Sequence, residues 1–501
     1  MENIIFKAIA LFILYFVGRV FYSLWGKPKT LEKQLNQQGI KGTSYKFLFG
    51  DLMEYKRLMM ETWSKPIALS HRIVQRADPL YYQMVQKYGK FCVTWFGTRP
   101  RLIVNDPELM RLILADKNGH FQKTRVNPLV YLLTLGVTSL EGEKWAKRRK
   151  IISPAFHHEK IQGMVPAFSV SCCNLVDKWK KLAGSQESYE IDISTEMQNL
   201  SADVIARSAF GSSFEEGKKI FELQKEQVVL VMEAARAIYF PGLRFIPTKK
   251  NKRRYEIDRM IKAMLGDMIK KRENAMQNGE PFGDDLLGLL LQCKENIDNE
   301  MTTEDVIEEC KLFYFAGQET TANWLTWTII VLSMHQDWQD KAREEVFRVC
   351  GKNTTPDHES INYLKIVSMI LQEVLRLYPP VTGIFRNTYQ KTNIGNMSIP
   401  AGVEIVLPTI MIHHDPEYWG NDAEEFKPER FSEGVAKAFF PFGWGPRFCL
   451  GQSFAVIEAK LALAMILQNF SFELSPSYTH APYSIITLQP QHGAPIILHQ
   501  L

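Results

Sequence analysis

The chain has 501 residues, 46% hydrophobic and 23% charged, with a formal net charge of +5. That balance is ordinary for a globular protein and excludes a disordered or low-complexity one. The positive surplus is small and dispersed, and there is no recognition-helix or finger pattern, so nucleic acid is not implied.

Seven cysteines (Cys92, Cys172, Cys173, Cys293, Cys310, Cys350 and Cys449) are odd in number and widely spaced, with no CxxC pair. A disulfide framework and a structural zinc site are both disfavoured, and the catalytic part is expected in a reducing compartment. Ile4 to Trp25 is apolar and long enough to cross a bilayer, which takes roughly 20 residues. Lys7 and Arg19 lie toward its ends, where their side chains reach the headgroups. A cleaved signal peptide would need a small-residue cleavage site, whereas bulky aromatics run on to Trp25. We therefore read residues 1–26 as an uncleaved, single-pass anchor and 27–501 as one catalytic domain. Lys27, Lys29 and Lys33 follow the span while Glu2 precedes it, so the domain is expected to face the cytosol.

Residues 27–50 read as a polar tether ending in glycine turns. Lys90 to Asp106 has strand-like content. "EGEKWAKRRKIIS" predicts a helix from near Glu141 that stops before Pro154. The basic run from Lys249 to Arg254 reads as a solvated helix start. A much longer helix follows in "TTEDVIEECKLFYFAGQETTANWLTWTIIVLSMHQD". It opens with a threonine cap and acids and is then apolar on nearly every face, so its ~30 residues and roughly 45 Å must run through a large core. In "MILQEVLRLYPPV", Glu373 and Arg376 share a helical face among apolar neighbours and need further buried partners. Residues 380–410 predict short strands, "LGQSFAVIEAKLALAMILQNF" a buried helix, and the tail strands again.

"FFPFGWGPRFCLG", from Phe439 to Gly451, is the densest signal. Gly443 and Gly445 permit backbone shapes closed to other residues, and Pro441 and Pro446 stiffen the turn. Cys449 falls at the start of the buried helix, where free N–H groups favour a thiolate. Arg447 can pair with an anionic group on the object the loop holds. Most free cysteines are merely small buried hydrophobes. Here Phe442, Gly443, Gly445, Arg447, Cys449 and Gly451 stand at fixed offsets, which favours a ligand. Haem fits, since it offers an iron for the thiolate and two propionates for cations.

FGWGPRFCLG is similar to the haem-binding loop of the cytochromes P-450, the haem-thiolate monooxygenases, and the resemblance covers the whole chain. It implies a mainly α fold with small β-sheets, behind one N-terminal transmembrane helix. It implies haem b ligated by Cys449, with Phe442, Gly443, Ala316 and Gly317 against it. Trp145 and Arg149 match the WxxxR pattern of a propionate contact, and Arg386 and Arg447 stand where two more are expected. Ala316, Gly317, Glu319 and Thr320 match the AGxET pattern. Thr320 is thereby assigned to holding dioxygen and a proton-donating water, and Glu319 to feeding protons from solvent. The glycine, acid and threonines are also poor helix-interior residues and are expected to open the helix and admit water. Glu373, Arg376 and Arg430 resemble a structural network behind the cysteine loop.

The absence of a nucleotide fingerprint in a strand–turn–helix means that electrons come from another protein. The resemblance implies NADPH–cytochrome reductase, steered by Lys147, Lys150 and Lys437. "QQGIKGTSYKFLFGD", "CKLFYFAGQETT" and "HAPYSIITLQPQHG" resemble the plant branch that contains secologanin synthase. This implies oxidation of a terpenoid such as an iridoid or triterpenoid, by a monomer in the endoplasmic reticulum membrane. Phe313, Ala316, Thr320, Val381, Ile384, Phe385 and Ile485 or Ile486 are the expected substrate contacts. The alternatives are a gibberellin or other terpenoid-hormone oxidase and an oxygen-independent haem-thiolate isomerase or dehydratase. A non-catalytic haem-binding sensor or transport protein is a third, although it needs no Glu319–Thr320 pair.

Overall fold

The computed structural model describes residues 2–124, 126–184, 188–239, 242–281, 283, 285–295, 301–434 and 437–501. Met1, the first residue of the expected anchor, lies outside them. Glu2–Phe21 (α1) is exposed from Ile4 to Phe21 save for half-buried Ala10, and the helical stretch Ile4–Gln37 is long and apolar enough to cross a membrane. It passes through a π-helical turn at Tyr22–Gly26 into Lys27–Gln37 (α2). The first part of the expected polar tether, residues 27–37, is therefore a helix. Pro28 suits its first turn, and Leu31 and Leu35, four apart, are buried against the body. Tyr45 seals the junction: its hydroxyl donates to Leu24 O at 2.5 Å and its ring packs against Trp25 and Trp95.

The largest sheet has six strands: Lys41–Gly42 (β1), Phe91–Phe96 (β2), Arg99–Val104 (β3), Phe121–Gln122 (β4), Ile384–Thr388 (β5) and Glu404–Leu407 (β6). Their spatial order is β1-β2-β3-β6-β5-β4, so the strands expected at Lys90–Asp106 and after residue 380 join one sheet. Buried Glu404 fixes the parallel β3–β6 register by accepting from Arg101 Nε at 3.0 Å and Nη2 at 2.8 Å. The tail forms the expected strands at Pro482–Ser484, Leu488–Pro490 and Pro495–Gln500, and Phe470–Leu474 is a further strand that pairs with the last of them.

Helices make up the rest of the core. Gly142–Ile152 (α3) stops before Pro154, as its sequence predicts. His158–Ala183 (α4), Ile193–Phe210 (α5), Thr303–Met334 (α6), Lys365–Leu377 (α7) and Gln452–Asn469 (α8) follow. The long helix α6 starts with a capping box, in which Thr302 Oγ1 accepts from Asp305 N and Asp305 Oδ2 from Thr302 N. It packs against α5, α7 and α8. The basic run at Lys249 opens the helix Lys249–Gln277, although Arg254 turns inward to bond Leu230 O.

Candidate active site

Residues 306–315 and 321–333 of α6 are buried, yet 316–320 between them are half-exposed. Ala316, Gly317 and Thr320 of this stretch line a cavity of about 320 Å³ enclosed by α6, α3, β5 and the cysteine loop. Ala316, Gly317, Thr320, Trp145, Arg149, Arg386, Phe442, Gly443, Arg447 and Cys449 all line it. A wider concavity of about 820 Å³, at Asp116, His120 and Lys391, holds none of the expected site residues.

The loop's shape follows from its glycines. Gly443 and Gly445 sit at φ +76° and +71°, and a Cβ on Gly445 would meet Leu114 O at 2.3 Å. Gly443 N donates to Phe440 O at 3.1 Å and Cys449 N to Phe442 O at 2.9 Å, which turns the Cys449 side chain toward the cavity. The side chain is accessible only in the sense that it opens into this interior space. Burial pushes its thiol up, while the Gly451 N–H and the Arg149 guanidinium pull it down. Burial thus opposes the thiolate that the loop's N–H group favours, and a metal cation facing the sulfur would stabilise it.

Behind the loop lies a buried polar network around Glu373 and Arg376. Arg376 Nε and Nη2 each bond Glu373 at 2.7 Å, and Nη1 donates to His413 O at 2.9 Å and Ala423 O at 2.6 Å. Glu373 Oε1 also accepts from Lys427 N at 2.9 Å. Arg430 lies 3.5 Å from Glu373 and donates to Trp419 O and Asp422 O. His413 carries this network to the loop: its Nε2 accepts from Phe440 N at 2.9 Å. Burial, with His414 and Arg376 nearby, lowers its pKa to about 3, so the ring stays neutral and keeps that acceptor. Nothing in the sequence beyond its place before Asp415 singles out His413, because its partner is 27 residues away.

At the rim, Arg447 stacks on the Trp145 ring at 4.3 Å and donates to Leu140 O and Glu141. Arg149 Nη1 donates to Phe448 O at 2.8 Å and Arg386 Nη1 to Phe385 O at 2.9 Å. Lys123, which the sequence did not flag, lines the same wall. Cations at the rim, a sulfur aimed inward and apolar walls between them suit an anionic, planar metallocofactor. The residues present fit haem.

On the α6 side two expectations change. The helix runs unbroken from Thr303 to Met334, and its hydroxyls bond back onto it, with Thr320 Oγ1 donating to Ala316 O at 2.7 Å. Gly317 gives close packing, since a Cβ there would meet Ile205 at 2.8 Å. Thr320 lines the cavity, but Glu319, about 100° around the helix, does not. Glu319 Oε1 instead accepts from Thr487 Oγ1 at 2.5 Å and Asn323 Nδ2 at 3.2 Å. Burial raises its pKa, and those two bonds with the Lys225 charge lower it.

Among the expected substrate contacts, Phe313, Ala316, Thr320, Val381 and Ile384 line the cavity. Phe385 does not. Alternate strand residues face opposite ways, so Ile384 and Arg386 point inward while Phe385 is 39% exposed, its ring beside Arg101. Ile485 and Ile486 do not reach the wall, and Ile486 packs with Leu133, Val231 and Phe315.

The sequence model of the Cytochrome P450 family matches residues 67–492. The chain is 54% identical over 492 residues to Cytochrome P450 CYP72A616 from Paris polyphylla, covering 95% of each chain. It is 50% identical over 507 residues to Cytochrome P450 CYP72A219 from Panax ginseng, covering 98% of each. It is also 47% identical over 518 residues to a protein named 7-deoxyloganic acid hydroxylase from Catharanthus roseus, covering 100% of this chain and 99% of that one. With a family match over most of its length and relatives this similar end to end, the chain belongs to the cytochrome P-450 family and is a haem-dependent monooxygenase.

Proposed function

We propose that this chain is a membrane-anchored monooxygenase that hydroxylates or serially oxidises a plant terpenoid, an iridoid or a triterpenoid. Residues 1–26 form the anchor, and 27–501 form a cytosolic catalytic domain at the endoplasmic reticulum membrane. Electrons pass from NADPH through a membrane-bound reductase. The observation that carries the chemistry is the Cys449 sulfur facing a cavity walled by Thr320 and α6.

Cys449 is the iron ligand. Trp145, Arg149, Arg386 and Arg447 would hold the propionates, while Phe442, Gly443, Ala316 and Gly317 would pack against the ring. Haem, when bound, supplies activation of dioxygen and insertion of one oxygen atom into a carbon–hydrogen bond. One oxygen atom enters the substrate and the other leaves as water, using two electrons from NADPH and two protons. The protein's part is to hold those protons back and release them in place. Thr320 spends its hydrogen on Ala316 O, so its oxygen is free to accept from a water in the cavity. Glu319, made easier to protonate by burial, can carry a proton on its second oxygen behind that wall while Oε1 accepts from Thr487 and Asn323.

Leu312, Phe313, Val381 and Ile384 give the cavity an apolar lining with few polar handles, which suits a terpenoid skeleton. The named activity of the Catharanthus relative favours an iridoid acid. The exposed apolar helix α1 supports the anchor, and Lys27, Lys29 and Lys33 after it support the cytosolic orientation. Exposed Lys147 and Lys150 share α3 with Arg149, whose bond to Phe448 O puts them beside the cysteine loop for an acidic partner. Lys437, also exposed, offers a third charge. The test is expression in microsomes with a plant reductase and a panel of iridoids, triterpenes and gibberellins. NADPH- and oxygen-dependent hydroxylation of an iridoid or triterpene is expected. Turnover of gibberellins alone, or conversion without NADPH, would overturn the assignment.

A further inference from the structure

Glu319 is held from two distant parts of the chain. Asn323 stands one turn further along α6, and Thr487 closes the tail hairpin, 168 residues away. Both are buried, with Asn323 1% and Thr487 2% exposed. The neighbours of Thr487 fix its place. Leu488 N donates to Pro380 O at 2.9 Å, Leu488 O accepts from Trp327 Nε1 at 3.0 Å, and Ile486 packs with Leu133, Val231 and Phe315. The hydroxyl is thus presented to α6 by packed core.

The directions of the bonds are determined. Asn323 Nδ2 donates to Glu319 O at 2.8 Å, and to Glu319 Oε1 and Thr487 Oγ1 at 3.2 Å each. The reverse orientation of the amide would set its oxygen against the Glu319 carbonyl, acceptor against acceptor. Thr487 accepts from Asn323, so its single hydrogen goes to Glu319 Oε1 at 2.5 Å. Both donors therefore converge on one carboxyl oxygen. Asn323 Oδ1, the other arm of the amide, is buried and has no partner. Burial raises the Glu319 pKa most, while Thr487, then Asn323, then Lys225 on the helix Phe214–Ala235 lower it. The other titratable group that feels the Glu319 charge is Tyr483 on the hairpin, whose pKa burial and that charge raise and Arg236 lowers.

Building on the proton role proposed above for Glu319, we propose that Thr487 and Asn323 are positioning residues of the reaction: they hold Glu319 by Oε1, turned away from the cavity, so that Oε2 gives up and regains the proton. The proton leaves Oε2 for a water, the bonding pair stays on that oxygen, and solvent returns one proton to it. The carboxylate left behind keeps two donors on Oε1, which stabilise its charge until it is refilled. Asn323 Oδ1 is an open acceptor at which such a water is held beside the acid.

The test uses the full-length holoenzyme with reductase in detergent. The infrared carbonyl band of protonated Glu319, identified by its loss in Glu319→Gln, is titrated with pH. The pH profile of NADPH consumption without added substrate is recorded beside it, since oxygen reduction takes up protons whatever its product. Thr487→Val keeps the side-chain shape and removes a bond that lowers the Glu319 pKa, so the carboxyl keeps its proton to higher pH. Both the infrared midpoint and the alkaline limb are expected to move up. Asn323→Leu should move them the same way by less. Thr487→Ser, which retains the hydroxyl, should hold both where wild type has them, and this separates the lost bond from a packing defect in the valine variant. Unmoved midpoints in Thr487→Val, or an equal shift in Thr487→Ser, overturn the proposal. A Glu319→Gln variant that kept the wild-type limb would instead overturn the proton role of Glu319 itself.

Discussion

The two faces of the cavity treat buried charge in opposite ways. Behind the cysteine loop, Glu373 and Arg376 are fully enclosed, and no side-chain nitrogen or oxygen of either lacks a partner. Across the cavity, Glu319 forms no ion pair among the described residues and is held by one hydroxyl and one amide. A carboxylate clamped by a guanidinium fork is fixed in charge and place, so it serves as scaffold. A buried carboxyl held only by neutral donors has a raised pKa and can exchange its proton. The same side chain is structural on one face and chemical on the other because of its partners.

The sharpest way to break this comparison is at the sulfur both faces serve. Cys449→Ala is expected to abolish haem loading, read as porphyrin absorbance per protein. A retained thiolate-type carbon monoxide spectrum would refute the ligand. Arg376→Ala leaves Glu373 buried without its partner and should cost about 3–5 kcal/mol in urea unfolding. Arg376→Lys should not rescue it, because an ammonium cannot make the fork. His413→Ala orphans the Phe440 N–H and should cost about 1–3 kcal/mol, with partial recovery in His413→Gln.

The smallest effect on stability belongs to the α6 face. Glu319→Gln should unfold like wild type but change the pH dependence of turnover. Burial raises the Glu319 carboxyl above its ordinary value, so its proton-donating form is present at low pH and is lost as the pH rises through that raised pKa. Wild-type turnover should therefore carry an alkaline limb that the glutamine variant lacks. Thr320→Ala should keep haem but waste NADPH as peroxide, measured as product per NADPH consumed. If Glu319→Gln destabilised the protein as much as Arg376→Ala, the contrast between the faces would collapse.

Much of this was legible from short spacings. The Thr302–Asp305 capping box, the end of α3 before Pro154, the Glu373–Arg376 pair and the turn around Cys449 all lie within a few residues of chain. The helix at 27–37 was missed because its apolar face is only Pro28, Leu31 and Leu35, too sparse to stand out in a polar stretch. Phe385 was misplaced because a pattern match gives a position but not which way a strand faces.

By itself, then, the sequence determined the local pieces: which residues cap, turn and pair within one or two helical turns, and that one cysteine sits in a loop built to hold a ligand. Only the tertiary structure decided that Lys123 joins Arg386 and Arg447, that His413 ties the buried ion pair to Phe440, and that Glu319 looks to Thr487 while Thr320 looks into the cavity. Covalent geometry fixes contacts between near neighbours in the chain. Contacts between residues tens or hundreds of positions apart form only when the chain collapses, and the packing of whole helices and strands then chooses which face of each meets the cavity.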